Sequence, residues 1–246
     1  MSIFFENLQF GLKAMGISLE AATLLKLERH WQLVCEYNQK FNLTAIHDDA
    51  QAAHKHYVDC LLPLPRLHDL AQREQQKGRV LKAADIGSGA GFPGLVLALA
   101  CPHSEWLLLE AGGKKCRFLQ LCLKELSISN VRALPLRAEQ AGREAGLREQ
   151  YHLVMARAVA PLSVLAEYAL PLLALGGQFA ALKGPALAEE EEAAAKALAV
   201  LGACRGERQE FTLPGGETRY IAWYEKIAPI AEKYPRRVGI PEKRPL

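Results

Sequence analysis

The chain has 246 residues, half of them hydrophobic, and its 30 basic and 27 acidic side chains leave a net charge of +3, so one α/β domain with an appendage is expected and two equal domains are not. Its six cysteines (Cys35, Cys60, Cys101, Cys116, Cys122 and Cys204) form no C-x-x-C pair and have no histidine at zinc spacing, which argues for reduced thiols and no metal. Phe4 and Phe5 run straight into Glu6 and Asn7, and the longest apolar stretch, Ala158 to Leu182, is cut by Pro161, Pro171, Gly176 and Gly177; the expectation is a cytoplasmic protein with no membrane partner.

In chain order, Ser18 is expected to cap a helix of about six turns, in which Leu24, Leu27, Trp31, Val34 and Phe41 recur at helical spacing. It should end near Asn42-Leu43-Thr44-Ala45, and a second helix should carry His54, His56, Tyr57 and Asp59. Residues 1–76 then form an N-terminal helical extension. From Lys77 onward strand and helix alternate. Strands are predicted at Val80–Ile86, Glu105–Glu110, Val131–Leu136, His152–Arg157, Gln178–Lys183, Arg208–Leu213 and Arg219–Glu225, with helices after the first five. Such alternation builds a mostly parallel sheet covered on both faces, here over residues 77–226. Pro214-Gly215-Gly216 between the last two strands is hairpin chemistry and makes that pairing antiparallel. Glu189 to Leu201 reads as an exposed helix whose acidic start, Glu189 to Glu192, is solvated at the positive end of the helix dipole, with Glu192 and Lys196 as a supporting pair.

Residues 227–246 form a basic arm. Lys233, Arg236, Arg237, Lys243 and Arg244 stand there against Glu232 and Glu242, which accounts for the whole net charge. Pro229, Pro235, Pro241 and Pro245 favour an extended arm over a helix.

The stretch VLKAADIGSGAGFPG, Val80 to Gly94, is a buried strand that turns sharply into a helix. Glycines there let a ligand approach the backbone, and the amides opening the next helix favour an anionic or electron-rich group. Gly89 to Gly94 satisfies the dinucleotide pattern G-x-G-x-x-G, but begins three residues beyond Ile86, where that pattern should start as the strand ends. Read from Asp85, the loop is acid-x-G-x-G-x-G, a form that resembles the first motif of class I S-adenosylmethionine methyltransferases. A tight turn without a ligand is the third reading.

An open parallel sheet holds its ligand off the carboxyl ends of its strands, so each strand end is a candidate. The second ends at Glu110, nineteen residues past Gly91, where a carboxylate can accept both hydroxyls of a ribose. The third ends at Arg137-Ala138-Glu139, where backbone groups can bracket an adenine. The fourth ends at Arg157, a guanidinium in an apolar stretch that needs an anion, either a structural carboxylate or a ligand. Lys183-Gly184-Pro185 closes the fifth with a second cation.

Asn42-Leu43-Thr44, His56 with Asp59, Asp85 to Gly94, Lys114-Lys115 with Phe118, Arg137-Ala138-Glu139, Arg157-Ala158, Lys183-Gly184 and Tyr234-Pro235-Arg236-Arg237 together resemble the RsmG family, also called GidB. The blocks run in order from about Asn42 to the C-terminus; the long C-terminal extension resembles only some members, and many carry aspartate where Glu110 stands. The resemblance implies a class I S-adenosylmethionine-dependent methyltransferase of Rossmann-like fold. Its mostly parallel seven-stranded sheet would end in an antiparallel hairpin.

It also implies a bacterial enzyme that methylates N7 of a guanine in 16S ribosomal RNA, with that RNA or the small ribosomal subunit as partner. Asp85, Gly87, Ser88, Gly89, Gly91, Phe92, Glu110, Ala111, Gly112, Ala138 and Glu139 would hold S-adenosylmethionine, and Arg157 would orient it or the base. Arg157, Asn42, His56 and Lys183 become the candidates for catalysis, and Lys114, Lys115, Arg236 and Arg237 those for RNA, with Arg117 beside them. N7 already holds an in-plane lone pair, so neither a base nor a metal is needed. The alternatives are a methyltransferase acting on another RNA or a small molecule, and a dinucleotide-binding protein.

Overall fold

The computed structural model describes residues 2–246, and its first element is one the sequence reading omits. Ser2 caps helix α1 (Ile3–Ala14) by accepting from the Phe5 amide, and Phe4, Leu8 and Leu12 bury one stripe of it. Phe4 packs against Trp31 and Tyr57, with ring centroids 6.0 and 4.8 Å away. Helix α2 (Ala21–Asn38) begins after Glu20, which makes no side-chain cap bond, so Ser18 is not its cap. It stops at Asn38, short of Phe41, because the Asn38 side chain accepts from the Leu43 and Thr44 amides at 2.7 and 3.1 Å and turns the chain back.

The predicted second helix is a run of three pieces: α3 (Asp49–Ala52), a π-helical turn (Ala53–Val58) and α4 (Asp59–Leu61), followed by α5 (Leu64–Gln76). A π-helical turn re-aims side chains and is frequent at functional sites. Here it carries His54 and His56 and leads into Asp59.

Beyond it come β1 (Leu81–Ile86), α6 (Gly94–Ala100), β2 (Ser104–Leu109), α7 (Gly113–Glu125), β3 (Val131–Leu134) and α8 (Ala138–Ala141). The second half holds β4 (Tyr151–Arg157), α9 (Leu162–Ala169), β5 (Leu173–Lys183), α10 (Leu187–Val200), β6 (Ala203–Thr212), β7 (Thr218–Lys226) and α11 (Ile240–Lys243). The seven strands form one sheet in the order β3-β2-β1-β4-β5-β7-β6. The first five are parallel, whereas β7 pairs antiparallel with both β5 and β6. Strand order reverses between β1 and β4, which opens the ligand crevice off their carboxyl ends.

Alternation along the strands divides the core. Leu81 and Ala83 of β1 and Leu153 and Met155 of β4 join one apolar cluster with the N-terminal helices, while Ala84, Ile86, Val154 and Ala156 join another with α9 and α10. By the same alternation Asp85 and Arg157 lie on the face covered by the N-terminal helices.

Two expectations are corrected here. The acidic start of α10 is not simply solvated: Glu191 is buried and takes Arg205 and the Tyr224 hydroxyl, and Glu190 accepts from Lys183 and from the Leu162 amide. Nor is the C-terminal arm extended. Arg148 donates to the carbonyls of Tyr234 and Ile230, Arg143 to that of Pro235, and Ile230 and Tyr234 are buried in the second cluster. Arg236, expected to meet RNA, instead grips the fully buried Glu167 through its amide at 2.7 Å and its guanidinium at 2.6 Å. A carboxylate in the core demands such a partner, and the arm supplies it.

Candidate active site

The turn after β1 runs through left-handed backbone that favours glycine. Gly87, Gly89 and Gly91 have φ of 69°, 56° and 106°, and a Cβ on Gly87 would stand 2.7 Å from Val159 in the loop after β4. Asp85 pins the helix that follows, since its Oδ2 accepts from the Gly94 amide at 3.0 Å. Its Oδ1 is buried without a partner, and burial pushes the carboxyl up to about 7. Ser88 donates to the Asp85 carbonyl at 3.2 Å. Glu110, just past β2, reaches back over the loop: its two oxygens accept from the amides of Gly89 at 3.0 Å and Gly112 at 2.7 Å.

Next to this turn is a cavity of about 210 Å³ lined by Gly87, Ala111, Ala138, Glu139, Val159 and Tyr168 among others. Glu139 is buried there and accepts from the Gly239 amide at 2.9 Å. The Tyr168 hydroxyl is pushed up to about 12 by burial first and then by the charges of Glu139 and Glu242.

On the other side of the loop a chain of side chains ties it to the N-terminal helices. Arg157 donates through Nη1 to Asp59 at 2.8 Å and to the Lys55 carbonyl at 2.9 Å, and through Nη2 to His56 Nδ1 at 3.2 Å. Of the two anions the sequence left open for Arg157, the structure supplies the carboxylate. A guanidinium only donates, so His56 Nδ1 accepts and its Nε2–H donates to Thr44 Oγ1 at 2.7 Å. Burial, then the Arg157 charge, lowers His56 to about 3, and its ring stacks on Phe92 at 4.5 Å. His56 is thus a neutral spacer held at both nitrogens.

His30, which the sequence reading passed over, does the same for the loop itself. Its Nε2 donates to the Ala90 carbonyl at 2.9 Å and its Nδ1 accepts from the Tyr57 hydroxyl at 2.8 Å, while burial lowers it to about 4. The available signal was its place three residues past Leu27 on the buried face of α2.

The remaining candidates divide by engagement. Lys183, a candidate for catalysis, donates to Glu190 at 2.6 Å and to the Ala160 carbonyl at 2.8 Å, which holds the loop after β4. Among the described residues, Asn42, Lys114, Arg117 and Arg237 are exposed and Lys115 is half-buried, with no ion-pair partner for any of them. No group of three or more His, Cys, Asp or Glu positioned for a metal occurs among the described residues, and no helix is long and apolar enough to cross a membrane.

Comparison with known proteins agrees with this geometry. The family model described as rRNA small subunit methyltransferase G matches residues 23–214. Ribosomal RNA small subunit methyltransferase G of Pelotomaculum thermopropionicum is 39% identical over 250 residues, 100% of both chains. That of Chloroflexus aggregans is 42% identical over 233 residues, covering 95% of this chain and 94% of the relative. Among solved structures, a mutant 16S rRNA (adenine(1408)-N(1))-methyltransferase from Catenulisporales acidiphilia shares the fold, with a TM-score of 0.53 at 11% identity over 68% of this chain and 92% of that one. A glycine loop at the strand-order reversal, a carboxylate after β2 that closes over it and a family match that spans both place the chain in the GidB family, rRNA small subunit methyltransferase G.

Proposed function

We propose that this chain transfers the methyl group of S-adenosylmethionine to N7 of a guanine in 16S ribosomal RNA, in the cytoplasm where that RNA is assembled into small subunits. The observation that carries the reading is the family match over residues 23–214, which contains the glycine loop, Glu110, Ala138, Arg157 and the anchors around them.

The residues suit the methyl donor on their own chemistry. Asp85 keeps a buried, unpartnered carboxyl oxygen at the root of the glycine loop, Glu110 can exchange its two amide bonds for ribose hydroxyls, and the cavity beside Gly87, Ala111 and Ala138 can take the base. Once bound, S-adenosylmethionine supplies an electrophilic methyl on a sulfonium. The chain's own residues align the guanine with it. N7 needs no proton removed, and His56, neutral and bonded at both nitrogens, fits a positioning role better than that of a base. Arg157 likewise positions: it locks Asp59 and the π-helical turn against the end of β4. Asn42, exposed beside Thr44, stands free to meet the guanine edge.

Lys114, Lys115 and Arg117 open α7, where the helix dipole disfavours cations by a few tenths of a kcal/mol. A phosphate backbone reverses that cost, so these three with Arg237 are assigned to RNA, while Arg236 is not. The test is methyl transfer from labelled S-adenosylmethionine to 16S RNA and to small subunits prepared from cells lacking the protein. Label should appear in 7-methylguanosine from at least one substrate. Label in a different nucleoside, or in neither substrate, would contradict the assignment.

A further inference from the structure

The docked C-terminal segment reaches the cofactor cavity. After Arg236 has gripped Glu167, the Gly239 amide lands on Glu139 at 2.9 Å, and the chain turns into α11. Glu242, in that turn, lines the same cavity as Gly87, Ala111, Ala138 and Tyr168. It has no hydrogen bond or ion pair among the described residues and is exposed, whereas Glu139 is 3% exposed and already takes the Gly239 amide. The rest of the wall there is largely apolar, with Ile86, Leu109, Leu136 and Val159, and Arg137 and Tyr168 add its other polar groups.

We propose that Glu242, carried in by the docked C-terminal segment, accepts the exocyclic 6-amino group of the cofactor's adenine; this rests on the methyl-donor reading above. An adenine edge offers two donor hydrogens at that amine. Of the two carboxylates at the cavity, only Glu242 is uncommitted and open to it. The segment is fixed by the Arg236 and Gly239 contacts, neither of which involves Glu242, so the acceptor is held in place by the fold itself. A purine with hydrogen in place of the amine offers the carboxylate no donor and leaves it unpaired, so Glu242 selects adenosyl ligands over their 6-deamino counterparts.

Calorimetry on the full-length chain with S-adenosylhomocysteine and its purine-riboside analogue, which carries hydrogen in place of the 6-amino group and is otherwise identical, tests this. The unmodified chain should prefer the adenosyl ligand by about tenfold or more. Glu242→Ala should bring the two affinities together, and Glu242→Gln, which keeps an acceptor, should retain most of the preference. Thermal unfolding should be nearly unchanged in both, because Glu242 is exposed and unpaired. A preference that survives Glu242→Ala intact overturns the inference and leaves the methyl-donor reading standing. Failure of the unmodified chain to bind either ligand overturns that reading, and the inference with it.

Discussion

Removing Arg157 leaves the Asp59 carboxylate and the Lys55 carbonyl without their principal donor in a place from which water is largely excluded. Breaking one side of a buried pair typically costs about 3–5 kcal/mol; Arg219, 3.5 Å from the other Asp59 oxygen, still faces the carboxylate, so Arg157→Ala should lower stability in urea by the lower part of that range as well as abolish turnover. Normal stability with lost turnover would return Arg157 to direct ligand contact. Gly89 behaves oppositely. A Cβ there meets nothing nearer than 3.9 Å, and its φ of 56° costs an L-residue about 1–2 kcal/mol, a β-branched one somewhat more. Gly89→Val should therefore stay folded while losing most of its affinity for S-adenosylmethionine, as calorimetry would register; unchanged affinity would mean that the loop does not hold the cofactor.

Asp85 gives a pH signature. Its carboxyl titrates near 7 in the folded chain against 3.8 as the ordinary value, so between those limits the folded state keeps a proton that the unfolded state has lost. Its contribution therefore falls as pH rises from about 4 through 7. His30 and His56, lowered to about 4 and about 3 by burial, act in the opposite sense: their contribution is full above about 6.5 and is lost as pH falls toward those values. Unfolding free energies of the unmodified chain and Asp85→Asn across about pH 5 to 8 isolate the first term, and the gap between them should shift in favour of the variant as pH rises. A gap that does not change with pH would mean Asp85 is ionised throughout.

At the scale of elements, the C-terminal segment changes most between sequence and structure. Its charge count was legible; its destination was not, because that depends on Glu167, a carboxylate buried on α9 and 69 residues away in the chain. The same blindness hid the pairing of Glu190 with Lys183 and of Glu191 with Arg205 in a run that local chemistry presents as solvated. Truncation after Ile230 should thus do more than weaken RNA binding. It strands Glu167, removes the donor to Glu139, and should lower both the melting temperature and the affinity for S-adenosylmethionine. A truncated chain of normal stability and cofactor affinity would mean that the segment's contacts contribute nothing to the pocket.

At the scale of the molecule, the sheet was legible because its parallel strands are mainly apolar runs that stop at glycines and charged residues, as at Ile86, Leu109 and Arg157. Of the site, the glycine loop, Glu110 and the need of Arg157 for an anion could be read from local pattern. The His30–Tyr57 and His56–Thr44 links could not, since they join residues brought together only when α2 and the π-helical turn pack on the loop. Helix α1 escaped because its apolar stripe is short and is mixed with exposed Ile3 and Phe10.

The central claim, that this assembled crevice methylates N7 of a guanine in 16S ribosomal RNA, is tested most directly by nucleoside analysis of that RNA from cells with the protein, without it, and with only the Gly89→Val chain. The account expects one 7-methylguanosine present in the first and absent from the other two. Its presence in all three, or the loss of a different modified nucleoside, would contradict the claim.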